Sequence, residues 1–182
     1  SRSLPSLCRI VDREPRITSV GLVQTKWFES AEAQTEQLTE GVSACAEAGA
    51  NVVFLPELTL SRYPADTRPE GPADASAEDL ENGPSLALAK TLAQSCDVHL
   101  QISLFERSGA ADQRGLNTSI IVSPNGECMG RTRKLHIPVT EGYFEDHYFI
   151  EGPADNPYPV HTLALDGLDL KVGNPTCWDE WF

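Results

Sequence analysis

The stretch NVVFL at Asn51–Leu55 is a short continuous apolar run, closed by Pro56 and followed at once by Glu57. Runs of this kind suit a strand buried on both faces of a sheet covered by helices. Proline cannot donate to a sheet ladder, so Pro56 marks the end of regular pairing. Glu57 is thereby set at the carboxyl edge of the sheet, where open α/β folds collect ligands. Taken alone, a carboxylate just past a strand is more often merely solvated.

Working outward, Ile17–Gln24 (ITSVGLVQ) reads as a strand rich in β-branched residues, and Ser30–Ala48 as a helix stopped by Gly49. Beyond Glu57, residues 61–83 read as loop, and Pro64, Pro69, Pro72 and Pro84 break any regular element. A second helix is predicted over Ser85–Ser95, then strands over Val98–Glu106 and Leu116–Ser123. Asn125–Gly126 is a tight hairpin signal, and the chain returns through Cys128–Lys134. A loop punctuated by proline and glycine covers 136–158, and Val160–Leu165 and Leu168–Val172 pair around an Asp166–Gly167 turn. This order predicts an α/β domain with a mixed sheet over 17–182, preceded by a polar, proline-containing extension over 1–16. Neither an internal repeat nor a low-complexity tract is evident.

The 182 residues have room for one domain with a sizeable core. A formal charge of -13 argues against a nucleic-acid partner and against an anionic membrane surface, both of which would repel it. No stretch is long and apolar enough to span a bilayer, and SRSLPSLCRIVDREPR lacks the apolar core of a signal peptide. A cytoplasmic location is the default expectation. The five cysteines, Cys8, Cys45, Cys96, Cys128 and Cys177, are widely spaced and include no C-x-x-C pair. A disulfide framework or structural zinc site is therefore not expected, and most of these thiols are expected to be buried and free.

Three residues at predicted strand ends carry the functional reading. Glu57 follows NVVFLP, Lys134 ends the return strand in GRTRK, and Cys177 ends LDLKVGNPTC. Singly, a lysine after two arginines is more often part of a basic surface strand, and a lone cysteine a small buried hydrophobe. Together they supply what amide cleavage needs. A thiolate attacks the carbonyl carbon, and a neighbouring ammonium is expected to lower the thiol pKa. A carboxylate takes the thiol proton and hands it to the departing amine. Lys134 and the backbone N–H of Trp178 are candidate donors to the oxyanion.

FLPEL, GRTRKLHIP and CWDEWF, in that order, resemble the nitrilase superfamily of carbon–nitrogen hydrolases. The resemblance implies a Glu57–Lys134–Cys177 triad and a thioester-type acyl-enzyme. It also implies an αββα sandwich, of which the C-terminal half is missing from this chain, and a homodimer or higher homo-oligomer. No cofactor or metal is implied. The loop GYFEDHYF is similar to the corresponding region of N-carbamoyl amidases, especially N-carbamoylputrescine amidases. That likeness implies a small-molecule amide or carbamoyl amine substrate, cleaved with release of ammonia and carbon dioxide, and Glu145 as a second glutamate that positions substrate and lysine. Asn174 and Pro175 depart from the family's small or apolar residues before the nucleophile and predict an irregular approach to Cys177.

Two other readings stand beside this one. The chain could be an inactive fragment or pseudoenzyme that serves as an interaction module, a reading that its end at Phe182 and the Asn174–Pro175 pair support. It could also be a Cys–His hydrolase of another fold, with His136 or His147 as base. Asp179 and Glu180 read mainly as turn and supporting residues, and Trp178, Trp181 and Phe182 as pocket wall or packing.

Overall fold

The computed structural model describes residues 17–182; Cys8 and the predicted extension over 1–16 lie outside the described residues. The NVVFL run forms β2 (Val52–Phe54), which pairs in parallel with β1 (Val20–Leu22) on one side and β3 (His99–Glu106) on the other. Strand β4 (Leu116–Val122) runs antiparallel to β3, and β5 (Cys128–Arg133) antiparallel to β4. The sheet order is β1-β2-β3-β4-β5, the mixed sheet expected from the sequence. β1 is shorter than predicted, because it is an edge strand that meets its neighbour over three residues; Val20 and Leu22 stay exposed while Gly21 is buried.

Helices α1 (Ala31–Glu47) and α2 (Pro84–Cys96) close one face of the sheet. The α1 start is capped by Ser30, whose hydroxyl accepts from the Ala33 N–H at 3.2 Å, and Gly49 ends it in the left-handed conformation at φ 87°. Its buried stripe is Gln34, Leu38 and Val42, one helical turn apart. At Gly21 a Cβ would stand 2.7 Å from the Cys45 Cβ, so only glycine lets β1 approach this helix. α2 begins with Pro84, which fits a first helical position, and buries Leu86, Ala89, Leu92 and Ala93.

Alternation along the strands divides the core. Val53, Leu55, Leu100, Ile102, Leu104, Ile120 and Val122 point to the helices and form the main cluster. The opposite face carries Val52 and Ile121, packed on Leu163, Leu170 and Val172 of a separate hairpin, β8 (Val160–Leu165) and β9 (Leu168–Gly173). This hairpin stacks on the sheet instead of joining it. Helices, five-stranded sheet and hairpin are three layers of the expected αββα sandwich. The predicted loop over 136–158 contains short structure of its own: β6 (Val139–Thr140) pairs with β7 (Tyr143–Phe144), and α3 (Glu145–Tyr148) is a single helical turn.

The cysteines correct an expectation. Cys45 and Cys96 are half-buried, and Cys128 and Cys177 are exposed, so most of the described thiols are not core residues. Cys45 and Cys96 sit at the margin of the helix-covered cluster, and Cys128 lies at the start of the outer strand β5.

The segment after β2 is stitched to β3 by side chains. The Leu58 N–H donates to the Ser103 hydroxyl at 3.0 Å, and the Ser103 N–H donates to the Thr59 hydroxyl at 3.1 Å. That hydroxyl donates to the Pro56 carbonyl at 2.7 Å, and the Gln34 amide donates to the Thr59 carbonyl at 2.9 Å. These bonds hold Leu58 at φ 51°, a conformation that non-glycine residues rarely adopt. Thr59→Val preserves volume but leaves the Ser103 N–H and the Pro56 carbonyl without this partner. It should cost about 1–3 kcal/mol in urea unfolding of the complete protein; an unchanged midpoint would show that the stitch contributes nothing.

Candidate active site

The second face of the sheet changes character along its length. Next to the apolar patch lies a buried polar belt, in which the Gln101 amide donates to the Ser119 hydroxyl at 2.6 Å and the Asn174 amide donates to the same hydroxyl. Beyond the belt, where β2 and β5 end and β4 begins, Glu57, Asn117 and Lys134 converge. The Lys134 N–H donates to the Asn117 carbonyl at 2.9 Å, extending the β4–β5 ladder by one residue and turning the lysine side chain onto this face.

The Lys134 side chain is 0% exposed. Its Nζ donates to Glu145 Oε2 at 2.7 Å and to Glu57 Oε1 at 3.4 Å. A buried ammonium loses several kcal/mol of hydration, so it needs such partners. Burial opposes its charge, but Glu57 and Glu145 outweigh that cost and raise the Lys134 pKa, keeping the group protonated. Two of its three N–H donors are thus engaged, and the third has no protein partner among the described residues.

Each carboxylate is held in turn. The Asn117 amide donates to Glu57 Oε1 at 2.6 Å, and the Tyr63 hydroxyl donates to Glu145 Oε1 at 2.9 Å. Burial, followed by the Glu145 charge, pushes the Tyr63 pKa far up, so the phenol stays a donor. Glu145 opens α3, which is anchored by Tyr148 and Phe149. Those rings pack with Phe105, Leu58 and Ala65, and Phe105 meets Phe149 edge to face at 4.8 Å between centroids. Backbone bonds fix the same segment, from the Phe144 N–H to the Ala65 carbonyl at 2.8 Å and from the Gly152 N–H to the Lys134 carbonyl at 2.9 Å.

Cys177 arrives from the hairpin. β9 stops at Gly173, Asn174 is buried against Ser119, and the chain reaches Cys177 without pairing, as Pro175 predicts. Cys177 opens a 3-10 turn, Cys177–Trp181, at φ 51°, a left-handed conformation unusual for a residue with a Cβ. It lines a cavity of about 290 Å³ together with Glu57, Tyr63, Pro138, Thr140, Tyr143, Glu145 and Trp178. Lys134 lies buried behind this lining. The geometry therefore brings together all five residues singled out in the sequence: Glu57, Lys134, Glu145, Cys177 and Trp178. His136 and His147 are not in the lining. His136 Nδ1 is 3.1 Å from Asp179 Oδ1, and the His147 ring meets Phe144 edge to face. Among the described residues, no group of three or more His, Cys, Asp and Glu is arranged to hold a metal ion, and no helix is long and apolar enough to cross a membrane.

One electrostatic expectation is reversed. The Cys177 thiol pKa is raised, not lowered: burial and the Glu57 charge outweigh the stabilisation that Lys134 and the Trp178 N–H give the thiolate. The resting thiol therefore keeps its proton at neutral pH. Sequence reasoning also missed Asn117 and Tyr63. Asn117 is the second residue of a strand that otherwise reads as generic β, and Tyr63 lies in a proline-bounded loop; their partners are 60 and 82 residues away.

The sequence profile described as Carbon-nitrogen hydrolase matches residues 16–182. The chain belongs to the carbon–nitrogen hydrolase family. Among relatives, it is 31% identical over 163 residues to a citrullinase of Francisella tularensis, covering 90% of this chain and 54% of that protein. It is 31% identical over 134 residues to an N-carbamoylputrescine amidase of Arabidopsis thaliana, covering 74% and 42% respectively. The crystal structure of a carbon–nitrogen hydrolase from Helicobacter pylori G27 superposes with a TM-score of 0.64 at 26% identity, over 75% of this chain and 45% of that one. The chain spans about half the length of the relatives it matches. These likenesses agree with the nitrilase-type fold that the layers display.

Thiol chemistry gives a direct check on the site's charges. Iodoacetamide should alkylate Cys177 with a pH midpoint above that of an unperturbed cysteine. Replacing Glu57 by Gln removes a negative neighbour of the thiolate and should move the midpoint down. A midpoint that stays put or rises in Glu57→Gln would contradict the charge arrangement described.

Proposed function

We propose that the complete protein is a hydrolase of non-peptide amide-type carbon–nitrogen bonds, acting on N-carbamoyl amines through Cys177, Glu57 and Lys134. The observation that carries this reading is the buried Lys134 held between two carboxylates, beside a cavity that Cys177 and both glutamates line. A nucleophile, a base and an ammonium around one small cavity are the parts that acyl transfer needs.

In this reading Glu57 takes the thiol proton as the Cys177 sulfur bonds to the carbamoyl carbon. The raised thiol pKa requires such a base, because the unassisted sulfur is protonated and a poor nucleophile. The remaining Lys134 N–H and the Trp178 backbone N–H receive the oxyanion. As the tetrahedral intermediate collapses, the carbon–nitrogen bond breaks and the proton on Glu57 passes to the departing nitrogen, which leaves as ammonia. Water then gives its proton to Glu57 and attacks the thioester-type acyl-enzyme. The sulfur leaves with a proton, and the carbamate formed loses carbon dioxide to give the amine. Glu145 holds Lys134 and faces the substrate across the cavity.

The choice of carbamoyl amines over other amides rests on the GYFEDHYF loop, which supplies Tyr143 and Glu145 to the cavity. It is also supported by the names of the citrullinase and N-carbamoylputrescine amidase relatives, since citrulline and N-carbamoylputrescine both carry a terminal carbamoyl-amine group. A homo-oligomer and a cytoplasmic location belong to the same proposal.

With the complete protein, ammonia release from N-carbamoylputrescine, citrulline, a β-ureido acid and a simple amide would be compared. Cys177→Ala should abolish release, and Glu57→Gln should lower kcat by about 10²–10⁴-fold. Full release after Cys177→Ala would sink the mechanism; a simple amide cleaved faster than every carbamoyl amine would sink the substrate class.

A further inference from the structure

Asp179 ties the turn that carries Cys177 to the strand end that carries Lys134. Its carboxylate is buried, and the residue is 1% exposed. Oδ1 accepts from the His136 N–H at 2.8 Å and from the Leu135 N–H at 3.2 Å, and Oδ2 lies 3.4 Å from the same Leu135 nitrogen. These two N–H groups directly follow Lys134. Asp179 itself stands two residues after Cys177, inside the turn Cys177–Trp181, and its N–H donates to the Thr176 carbonyl at 3.1 Å. One carboxylate thus bridges two segments that are 44 residues apart in sequence.

We propose that Asp179 is a positioning residue, a clasp that holds the Cys177 sulfur in register with Lys134 and Glu57. Three observations support a dedicated role. A carboxylate binding two successive backbone N–H groups makes charge-assisted bonds, stronger and more directional than neutral ones. The clasp is roofed by His136, whose Nδ1 lies 3.1 Å from Oδ1 and 2.7 Å from the Tyr158 hydroxyl, while the Phe182 ring stacks on His136 at 3.8 Å. Water is thereby kept from the carboxylate. The nucleophile's own approach has no strand pairing after Gly173, and Cys177 sits in a strained left-handed conformation. A strained residue on an unpaired segment persists only where neighbouring contacts over-determine it. The Asp179 bonds join this turn to the segment that directly follows Lys134.

The inference rests on the proposed chemistry in requiring Cys177 and Lys134 to act on one carbonyl group, and two separate readouts keep the questions apart. In the complete protein, Asp179→Ala, Asp179→Asn and Glu180→Gln would be compared with wild type by hydrogen exchange and by kcat and KM for carbamoyl-amine hydrolysis. Glu180 is exposed and serves as the control. Asp179→Ala should expose the Leu135 and His136 amides to exchange while the amides of β2, β3 and β4 stay protected. It should lower kcat by about 100-fold with KM changed less than threefold, the effect of a nucleophile displaced by about 1 Å. Asp179→Asn, which keeps one acceptor oxygen, should retain protection at His136 and recover part of kcat; Glu180→Gln should match wild type. A kcat for Asp179→Ala within threefold of wild type overturns the proposal. So does uniform loss of protection through the sheet, which would make Asp179 a residue of global stability alone. Ammonia release that survives Cys177→Ala would instead overturn the proposed chemistry, and amide exchange at Leu135 and His136 would still decide whether the clasp exists.

Discussion

The arrangement of this molecule depends on where Lys134 puts its charge. A fully buried ammonium is tolerated because Glu145, 11 residues further along, and Glu57, 77 residues earlier, lie against it. Glu145 belongs to a one-turn helix after the β6–β7 pair, and Glu57 to the segment after β2. Removing one partner of such a group leaves a buried charge uncompensated, at a typical cost of about 3–5 kcal/mol. The loops that deliver the carboxylates must therefore dock if the sheet edge is to be stable at all. Tyr63, Asn117 and the Phe105–Phe149 pair can be understood as the means of docking them.

A second constraint acts through the sheet. Its helix-covered face is apolar through the main cluster, whereas its other face passes from Val52 and Ile121, through Gln101 and Ser119, to Asn117 and Lys134. The polar belt isolates the charged end from the apolar end. Gln101 and Asn174 both donate to the Ser119 hydroxyl, whereas Thr132 Oγ1 and Asn117 Oδ1 on the same face have no hydrogen-bond partner among the described residues. The same face thus packs the β8–β9 hairpin at one end and holds the charges at the other, and Asn174 crosses between them to bring the chain towards Cys177.

Much of this was legible in local sequence. NVVFL announces a two-sided buried strand, and proline or turn chemistry announces its end, so Glu57 and Lys134 can be placed at strand termini without knowing their partners. Glu145 came only through likeness to a family, because nothing in EDHY distinguishes a buried carboxylate from a solvated one. Asn117, Tyr63 and Asp179 owe their roles to contacts across 44 to 82 residues, which periodicity does not encode. β1 is shorter than its composition suggests, since β-branched residues favour strands but pairing requires a neighbour. The cysteines misled for a related reason. Their chemistry favours burial, yet Cys128 and Cys177 lie where the sheet and the turn leave them open.

The sign of the thiol pKa shift shows why pairwise reasoning was insufficient. An ammonium near a thiol lowers its pKa, and Lys134 does act in that direction on Cys177. But partial desolvation of the sulfur in its cavity is the larger influence, and Lys134 is already neutralised by Glu57 and Glu145, both of which also push the thiol pKa up. For the proposed chemistry the consequence is coherent: a thiol that keeps its proton gives Glu57 something to accept, whereas a resting thiolate would leave the carboxylate without a proton to hand to the departing nitrogen. In the proposed chemistry, the charge that makes Glu57 unfavourable for a resting thiolate is the charge that lets it act as base when the sulfur attacks.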